Sequence, residues 1–296
     1  MSETSVAGIE LEHPIMNAAG TCKSTEDVRQ FARSSAAAVM VGSITKEYRE
    51  QNAGTAYWSN DAYSLNSLGL PNRGLGYYVE HLSEMTEVCH TSGKPLFLSI
   101  APFGIEELGD MLGQIDGKHG VDAIEINLGC PNVWAEGEQK RIFCFDLAYV
   151  EEVLRLIKNT ATPVGLKMSP FSDPAYLRDV ARLVDGRSAF VTAINTFPNS
   201  YSLTNGKPDI GATDGFAGLA GPAVKPIALG QVAQYSKLMT TTPVIAAGGV
   251  SNGTDVADFL EVGASIVQIN TAYANQGIQV FYRILEDYAT VLERRG

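Results

Sequence analysis

Eight short apolar runs recur along the chain with longer amphipathic stretches between them, and this alternation restricts the fold more than any other feature of the sequence. The runs are Ile15–Ala19, Ala37–Gly42, Leu96–Ile100, Ala123–Asn127, Val164–Met168, Phe190–Ile194, Val244–Ala247 and Ile266–Ile269. Most are continuous rather than alternating, the pattern of parallel strands covered on both faces. Between them, Glu106–Lys118 and Tyr149–Lys158 carry apolar residues close to helical spacing, and Ser24 reads as an N-cap with Asp27 complementing the first turn behind it. Eight such units in 296 residues, with no Pro/Ser-rich linker, predict a (β/α)₈ TIM barrel over residues 1–296 as one domain, not a doubly wound sheet with a second domain. Two segments, Lys46–Gly76 and Thr196–Pro222, are too long for simple connections and are expected to extend over the C-terminal face.

The chemically useful residues fall at or just after the ends of these runs: Asn17, Ser43, Asn127, Cys130, Lys167, Asn195, Gly248, Gly249, Asn270 and Thr271. A barrel gathers such positions around one mouth. In Glu125-Ile-Asn-Leu-Gly-Cys-Pro-Asn132 an apolar strand delivers an amide, a thiol and a second amide. A free thiol has a pKa of about 8.5, near working pH, so Cys130 suits proton transfer to or from a weakly acidic C–H. Lys167 ends an apolar strand and must bring its ammonium out at the mouth, where it would offset negative charge on a reduced cofactor. Gly248 and Gly249 follow the seventh run and Asn270 and Thr271 the eighth, where barrels often offer backbone N–H groups to phosphate. Asn66, Asn127, Asn132 and Asn195, each both donor and acceptor, suit a ring bearing imide or lactam groups. Gly215-Phe-Ala-Gly-Leu-Ala-Gly221 has glycine at every third position but follows no predicted strand, so it reads as a flexible or cofactor-covering segment and not a dinucleotide loop.

Composition narrows the partners. A net charge of −11 with no Lys/Arg cluster opposes nucleic acid and anionic lipid, which need concentrated basic surface. Apolar runs such as Ala36–Val41 and Pro243–Ala247 fall far short of the roughly 20 residues of a membrane span, and no signal peptide is read at the start. Cys22, Cys89, Cys130 and Cys144 are widely spaced without a CxxC pair, as in a reducing cytosol, and the first two and Cys144 read as plain free thiols. His13, His81, His90 and His119 lack metal-ligand spacing, so no metal is implied.

Pro14-Ile-Met-Asn-Ala-Ala-Gly20, Ser64-Leu-Asn-Ser-Leu-Gly-Leu-Pro-Asn-Arg-Gly74, Asn127-Leu-Gly-Cys-Pro-Asn132, Gly165-Leu-Lys167 and Ala247-Gly-Gly249 together resemble the class 1A dihydroorotate dehydrogenases, in order and spacing over nearly the whole chain. The resemblance implies a cytosolic, homodimeric FMN enzyme of pyrimidine biosynthesis, with fumarate as a possible acceptor. In that family the loop cysteine takes the C5 proton of dihydroorotate while the C6 hydride passes to flavin N5. Carried over, Cys130 is that base and Lys167 the flavin-stabilising lysine. Asn66, Asn127, Asn132, Asn195 and Thr196 match the substrate-binding positions, and Ala19, Gly20, Ser43, Asn127, Lys167, Gly221, Gly248, Gly249, Asn270 and Thr271 the FMN-contacting ones. The quinone-linked class differs in its serine base and N-terminal extension; the NAD-linked class shares the cysteine but works with an iron–sulfur partner subunit.

Three departures bear on the substrate. Gly42 stands where the family has a lysine, Ala56 aligns near a family arginine, and the lysine-bearing part of the catalytic loop becomes Val133-Trp-Ala-Glu-Gly-Glu138. A charge-assisted hydrogen bond is worth roughly 1.5–3 kcal/mol. Their loss leads us to expect an uncharged dihydropyrimidine or other cyclic amide as the alternative substrate, with Trp134 covering an apolar substituent, unless Lys46, Arg49 or Arg73 turns inward; a lysine restored at position 42 would then recover dihydroorotate. Asn-Leu-Gly-Cys-Pro also resembles tRNA dihydrouridine synthases, which the acidic balance and missing RNA-binding domain oppose. A catalytically silent barrel is opposed by the joint presence of Cys130 and Lys167.

Overall fold

The computed structural model describes residues 4–135 and 138–295, with the backbone alone at 134 and 135. All eight runs become strands of one parallel sheet: β1 (Ile15–Asn17), β2 (Val39–Ile44), β3 (Leu96–Ile100), β4 (Ala123–Asn127), β5 (Val164–Met168), β6 (Val191–Ala193), β7 (Val244–Ala247) and β8 (Ala264–Ile269). Their order is β1-β8-β7-β6-β5-β4-β3-β2, and helices follow each strand, as a right-handed βα repeat requires. The first is α1 (Thr25–Ala32), which Ser24 caps by accepting the Asp27 N–H at 3.1 Å.

The seam between β1 and β2 has no regular ladder. Ala37 N–H donates to Ile15 O at 2.9 Å, and the Asn17 carboxamide both donates to Met40 O and accepts from Met40 N–H at 2.8 Å. Asn17 therefore closes the barrel by imitating a strand's peptide group. Grouped by sequence with the residues of the mouth, it is instead fully buried and structural.

Period-two alternation along the strands stacks the interior in layers. At the bottom, Met16, Met40, Phe97, Phe190, Ile245 and Ile266 pack together, and Val6 and Leu11 of an N-terminal hairpin (Thr4–Val6 with Ile9–Leu11) join them as a plug. Gly165 makes room for this layer, since a Cβ there would stand 2.2 Å from the Phe190 ring. Two residues further along the strands the interior turns polar, with Ser99, Glu125, Lys167, Thr192 and Gln268 all buried. Above that layer the barrel opens.

The two long segments do extend over that opening, and they join. Tyr57–Ser59 and Ser64–Asn66 from the first pair with Ala217–Ala220 and Phe197–Ser200 from the second in a four-stranded antiparallel sheet. The glycine-rich stretch 215–221 is thus a paired strand for most of its length, which corrects its reading as a flexible segment. Its small residues are there for space: a Cβ at Gly218 would fall 2.1 Å from the Thr196 hydroxyl.

Candidate active site

One cleft lies between the barrel mouth and this sheet. Every residue expected from sequence to bind or react lines it: Cys130 and Lys167; Asn66, Asn127, Asn132, Asn195 and Thr196; Ala19, Gly20, Ser43, Gly221, Gly248, Gly249, Asn270 and Thr271. They come from seven separate strand ends and both insertions, which is why no local window of sequence contains the site.

A continuous hydrogen-bonded chain leads from the cleft into the barrel. Asn195 Nδ2 donates to Asn127 Oδ1 at 3.0 Å, Asn127 Nδ2 to Ser43 Oγ at 3.0 Å, and Ser43 shares a 2.9 Å hydroxyl contact with Ser99. Ser99 Oγ donates to Glu125 Oε1 at 3.2 Å, and Thr192 Oγ1 to Glu125 Oε2 at 2.7 Å. Glu125 in turn faces the Lys167 ammonium at 3.9 Å, and Lys167 Nζ donates to Gln268 Oε1 at 3.2 Å. Removing these partners would leave a buried ammonium uncompensated, at a large cost. Glu125, Ser99 and Gln268 had no role in the sequence reading. The available signal was their spacing: Glu125 sits two residues before Asn127, hence on the same interior face.

The other two amides form a second unit: Asn132 Nδ2 donates to Asn66 Oδ1 at 2.8 Å, which leaves the Asn66 amino group and the Asn132 carbonyl for a ligand. The Thr196 hydroxyl is buried with no partner among the described residues. Cys130 lines the same cleft. Protein packed around the partly accessible residue removes solvation from its thiol and pushes its pKa up to about 11; the Asn132 backbone N–H and the charges of Arg49 and Lys167 act in the opposite sense. The thiol is therefore protonated at neutral pH, in place of the pKa near 8.5 expected of it from sequence.

The phosphate-sized corner is made of backbone. No acceptor meets the N–H groups of Gly248, Gly249 and Val250 among the described residues. Gly249 has a φ of +80°, and a Cβ there would stand 2.7 Å from Lys225 Cβ. Thr271 Oγ1 contacts Ser64 Oγ at 3.0 Å, and Asn270 Nδ2 donates to Ala19 O at 3.2 Å, tying the far wall together.

The cations offered as substitutes for the family's lysine are elsewhere. Lys46 pairs with Asp110 at 2.7 Å on the surface, and Arg73 lies over the Tyr77 ring. Arg49 donates to Gly69 O at 3.0 Å and lies over Phe103, outside the cleft wall. Nor can positions 42 and 56 regain a cation by substitution. Gly42 has a φ of +112°, with Ser99 O 2.3 Å from where a Cβ would be, and Ala56 is buried in an apolar cluster with Leu65 and Ile210. The side chain of Trp134 lies outside the described residues.

Residues 1–292 match the family model described as Dihydroorotate dehydrogenase. The chain belongs to the dihydroorotate dehydrogenase family. Dihydroorotate dehydrogenase (fumarate) of Saccharomyces paradoxus is 33% identical over 290 residues, covering 96% of this chain and 91% of the yeast protein. Dihydroorotate dehydrogenase A (fumarate) of Lactococcus lactis subsp. lactis is 31% identical over 303 residues, covering 100% of this chain and 96% of the bacterial one. The solved structure of DHODH from Eimeria tenella in complex with ferulenol superposes with a TM-score of 0.80 at 17% identity, over 99% of this chain and 85% of that one, and so shares the barrel fold. The family consists of flavin-dependent oxidoreductases acting on CH–CH bonds, and these likenesses do not favour the alternative of an uncharged substrate. Among the described residues no helix is long and apolar enough to cross a membrane, and no cluster of His, Cys, Asp or Glu has metal-binding geometry.

Proposed function

We propose that the whole chain, 1–296, is one catalytic domain that interconverts dihydroorotate and orotate with FMN in the cleft, in the cytosol, as a step of pyrimidine biosynthesis. The observation that carries this reading is the meeting of Cys130, two amide pairs and Lys167 around one cleft. Cys130 removes the C5 proton in the oxidative direction and returns it in the other. The Asn66–Asn132 and Asn127–Asn195 pairs present both donors and acceptors to the imide edge of the ring, and Thr196 supplies a free hydroxyl. FMN held in this cleft would supply the acceptor for the C6 hydride, and a soluble acceptor, for which fumarate is our candidate from the names of the relatives, would take up the electrons in turn. Lys167, held by Gln268 and Glu125, would offer positive charge to a flavin held in the cleft. The donor set suits the mononucleotide: free N–H groups at Gly248 to Val250 form one phosphate-sized corner. The purified protein is expected to be yellow and to release, on acid treatment, a flavin with the mass of FMN; a colourless protein that FMN cannot reconstitute, or one releasing FAD, contradicts this assignment.

We also read the enzyme as a homodimer. Tyr201, Leu203 and Phe216 are 46%, 58% and 46% exposed on the second insertion, with the Tyr201 and Phe216 rings 5.5 Å apart, a concentration of apolar surface that suits a second copy of this chain. Leu203→Lys with Phe216→Lys is expected to shift the sedimentation coefficient from dimer to monomer; a wild type that sediments as a monomer at micromolar concentration rejects the assignment.

A further inference from the structure

The cleft wall carries two charged side chains among the described residues, and both are lysines. Lys167 is engaged by Gln268 and Glu125. The other is Lys23, from the connection between β1 and α1. Its backbone is fixed at both ends: the Lys23 N–H donates to Asp27 Oδ2 at 2.9 Å, and its carbonyl accepts the Tyr78 hydroxyl at 2.9 Å. Its ammonium has neither a hydrogen bond nor an ion pair among the described residues, whereas Lys46, Lys118 and Lys225 each find an acceptor. Burial pulls its pKa down, and only Asp27 opposes this. A half-buried ammonium at a cleft wall, held by its backbone but not by its head, is destabilised unless an anion meets it.

Leu68 to Leu70, on the wall of the same cleft, present free backbone donors. All three carbonyls are occupied: Leu68 O accepts from Asn52 N–H at 3.1 Å, Gly69 O from Arg49 Nε at 3.0 Å and Leu70 O from Asn72 Nδ2 at 2.9 Å. The three N–H groups have no acceptor among the described residues. The positive φ of Gly69 (+77°) and Leu70 (+60°) belongs to this turn, and a Cβ at 69 would strike the Asn52 carboxamide at 2.4 Å. Consecutive free N–H groups and an unpaired ammonium lining one cleft make a place for a carboxylate.

We propose that Lys23 is the specificity-determining cation of this enzyme, binding the carboxylate of the dihydropyrimidine acid and so selecting it over the uncharged ring. The proposal rests on the reading of the cleft as a dihydroorotate site. It also accounts for how a chain with Gly42 on β2 and Ala56 in its first insertion keeps an anionic substrate, since the charge enters from the loop after the first strand instead.

The test is calorimetric titration of the FMN-loaded enzyme with orotate and with uracil, the same ring without the carboxylate, in wild type, Lys23→Met and Lys23→Arg. Wild type is expected to prefer orotate. Lys23→Met is expected to weaken orotate about tenfold to hundredfold, the size of one charge-assisted hydrogen bond, while leaving uracil affinity and FMN content where they were; Lys23→Arg recovers most of the loss. If wild type prefers orotate and Lys23→Met keeps that preference, or loses both ligands or FMN alike, Lys23 does not read the carboxylate and the proposal is overturned while the dihydroorotate site stands. If wild type itself has no preference for orotate, the dihydroorotate reading falls and takes this proposal with it.

Discussion

Cys130→Ala is expected to keep its FMN and its affinity for orotate while losing roughly 10²–10⁴-fold in turnover, the usual contribution of a general acid/base. The pH profile carries the same information independently. Burial raises the thiol to about 11, so across neutral pH the proton-accepting thiolate is the minor form. Below that pKa the thiolate fraction rises about tenfold per pH unit, so dihydroorotate oxidation should climb with pH, and orotate reduction, which needs the thiol as acid, should not. Cys130→Ser is expected to lose the climb below pH 9, since a hydroxyl titrates far higher. Anaerobic half-reactions over pH 6 to about 9.5 check both points. A Cys130→Ala enzyme with near-wild-type rates and an unchanged profile would remove the residue from the mechanism.

The second large effect is expected at Glu125, on stability. Its carboxylate is fully buried, accepts from Ser99 and Thr192, and faces the nearly buried Lys167 ammonium. Removing one member of a buried pair leaves the other uncompensated, at a cost of about 3–5 kcal/mol. Glu125→Ala should therefore show a large fall in urea midpoint, and Lys167→Met with Glu125→Ala should be less destabilised than the two single variants summed, because the pair is removed together. Additivity of the two losses would mean that Glu125 and Lys167 do not act as a pair.

The barrel was legible in the sequence because its strands are buried on both faces and announce themselves as continuous apolar runs. Four of the eight, among them Leu96–Ile100 and Val164–Met168, coincide with the sheet's own strands. The gathering of site residues was legible for the same reason, since residues at the ends of parallel strands must meet at one mouth. What stayed hidden depends on contacts far apart in sequence. Asn17 looked like a mouth residue, and only the lateral neighbour Met40 shows that it closes the seam. The stretch 215–221 looks unpaired in sequence because one of its two partners, Ser64–Asn66, lies some 150 residues away and the other, Phe197–Ser200, follows a run already read as a strand. The low thiol pKa expected of Cys130 ignored desolvation, which depends on packing that a sequence does not display. Lys23 carries no signal of its own in sequence, because the cleft admits charge from any loop around its rim and not only from positions 42 and 56.

If this cleft takes dihydroorotate, Cys130 and a bound flavin divide the proton from the hydride. Mixing the FMN-loaded enzyme with dihydroorotate in the absence of oxygen and following the flavin absorbance near 450 nm tests it most directly. The expected result is rapid bleaching with one orotate formed per flavin, slowed roughly 10²–10⁴-fold in Cys130→Ala, with 5,6-dihydrouracil far less effective than dihydroorotate. A wild-type flavin that stays oxidised with dihydroorotate, or bleaches faster with dihydrouracil, would contradict it.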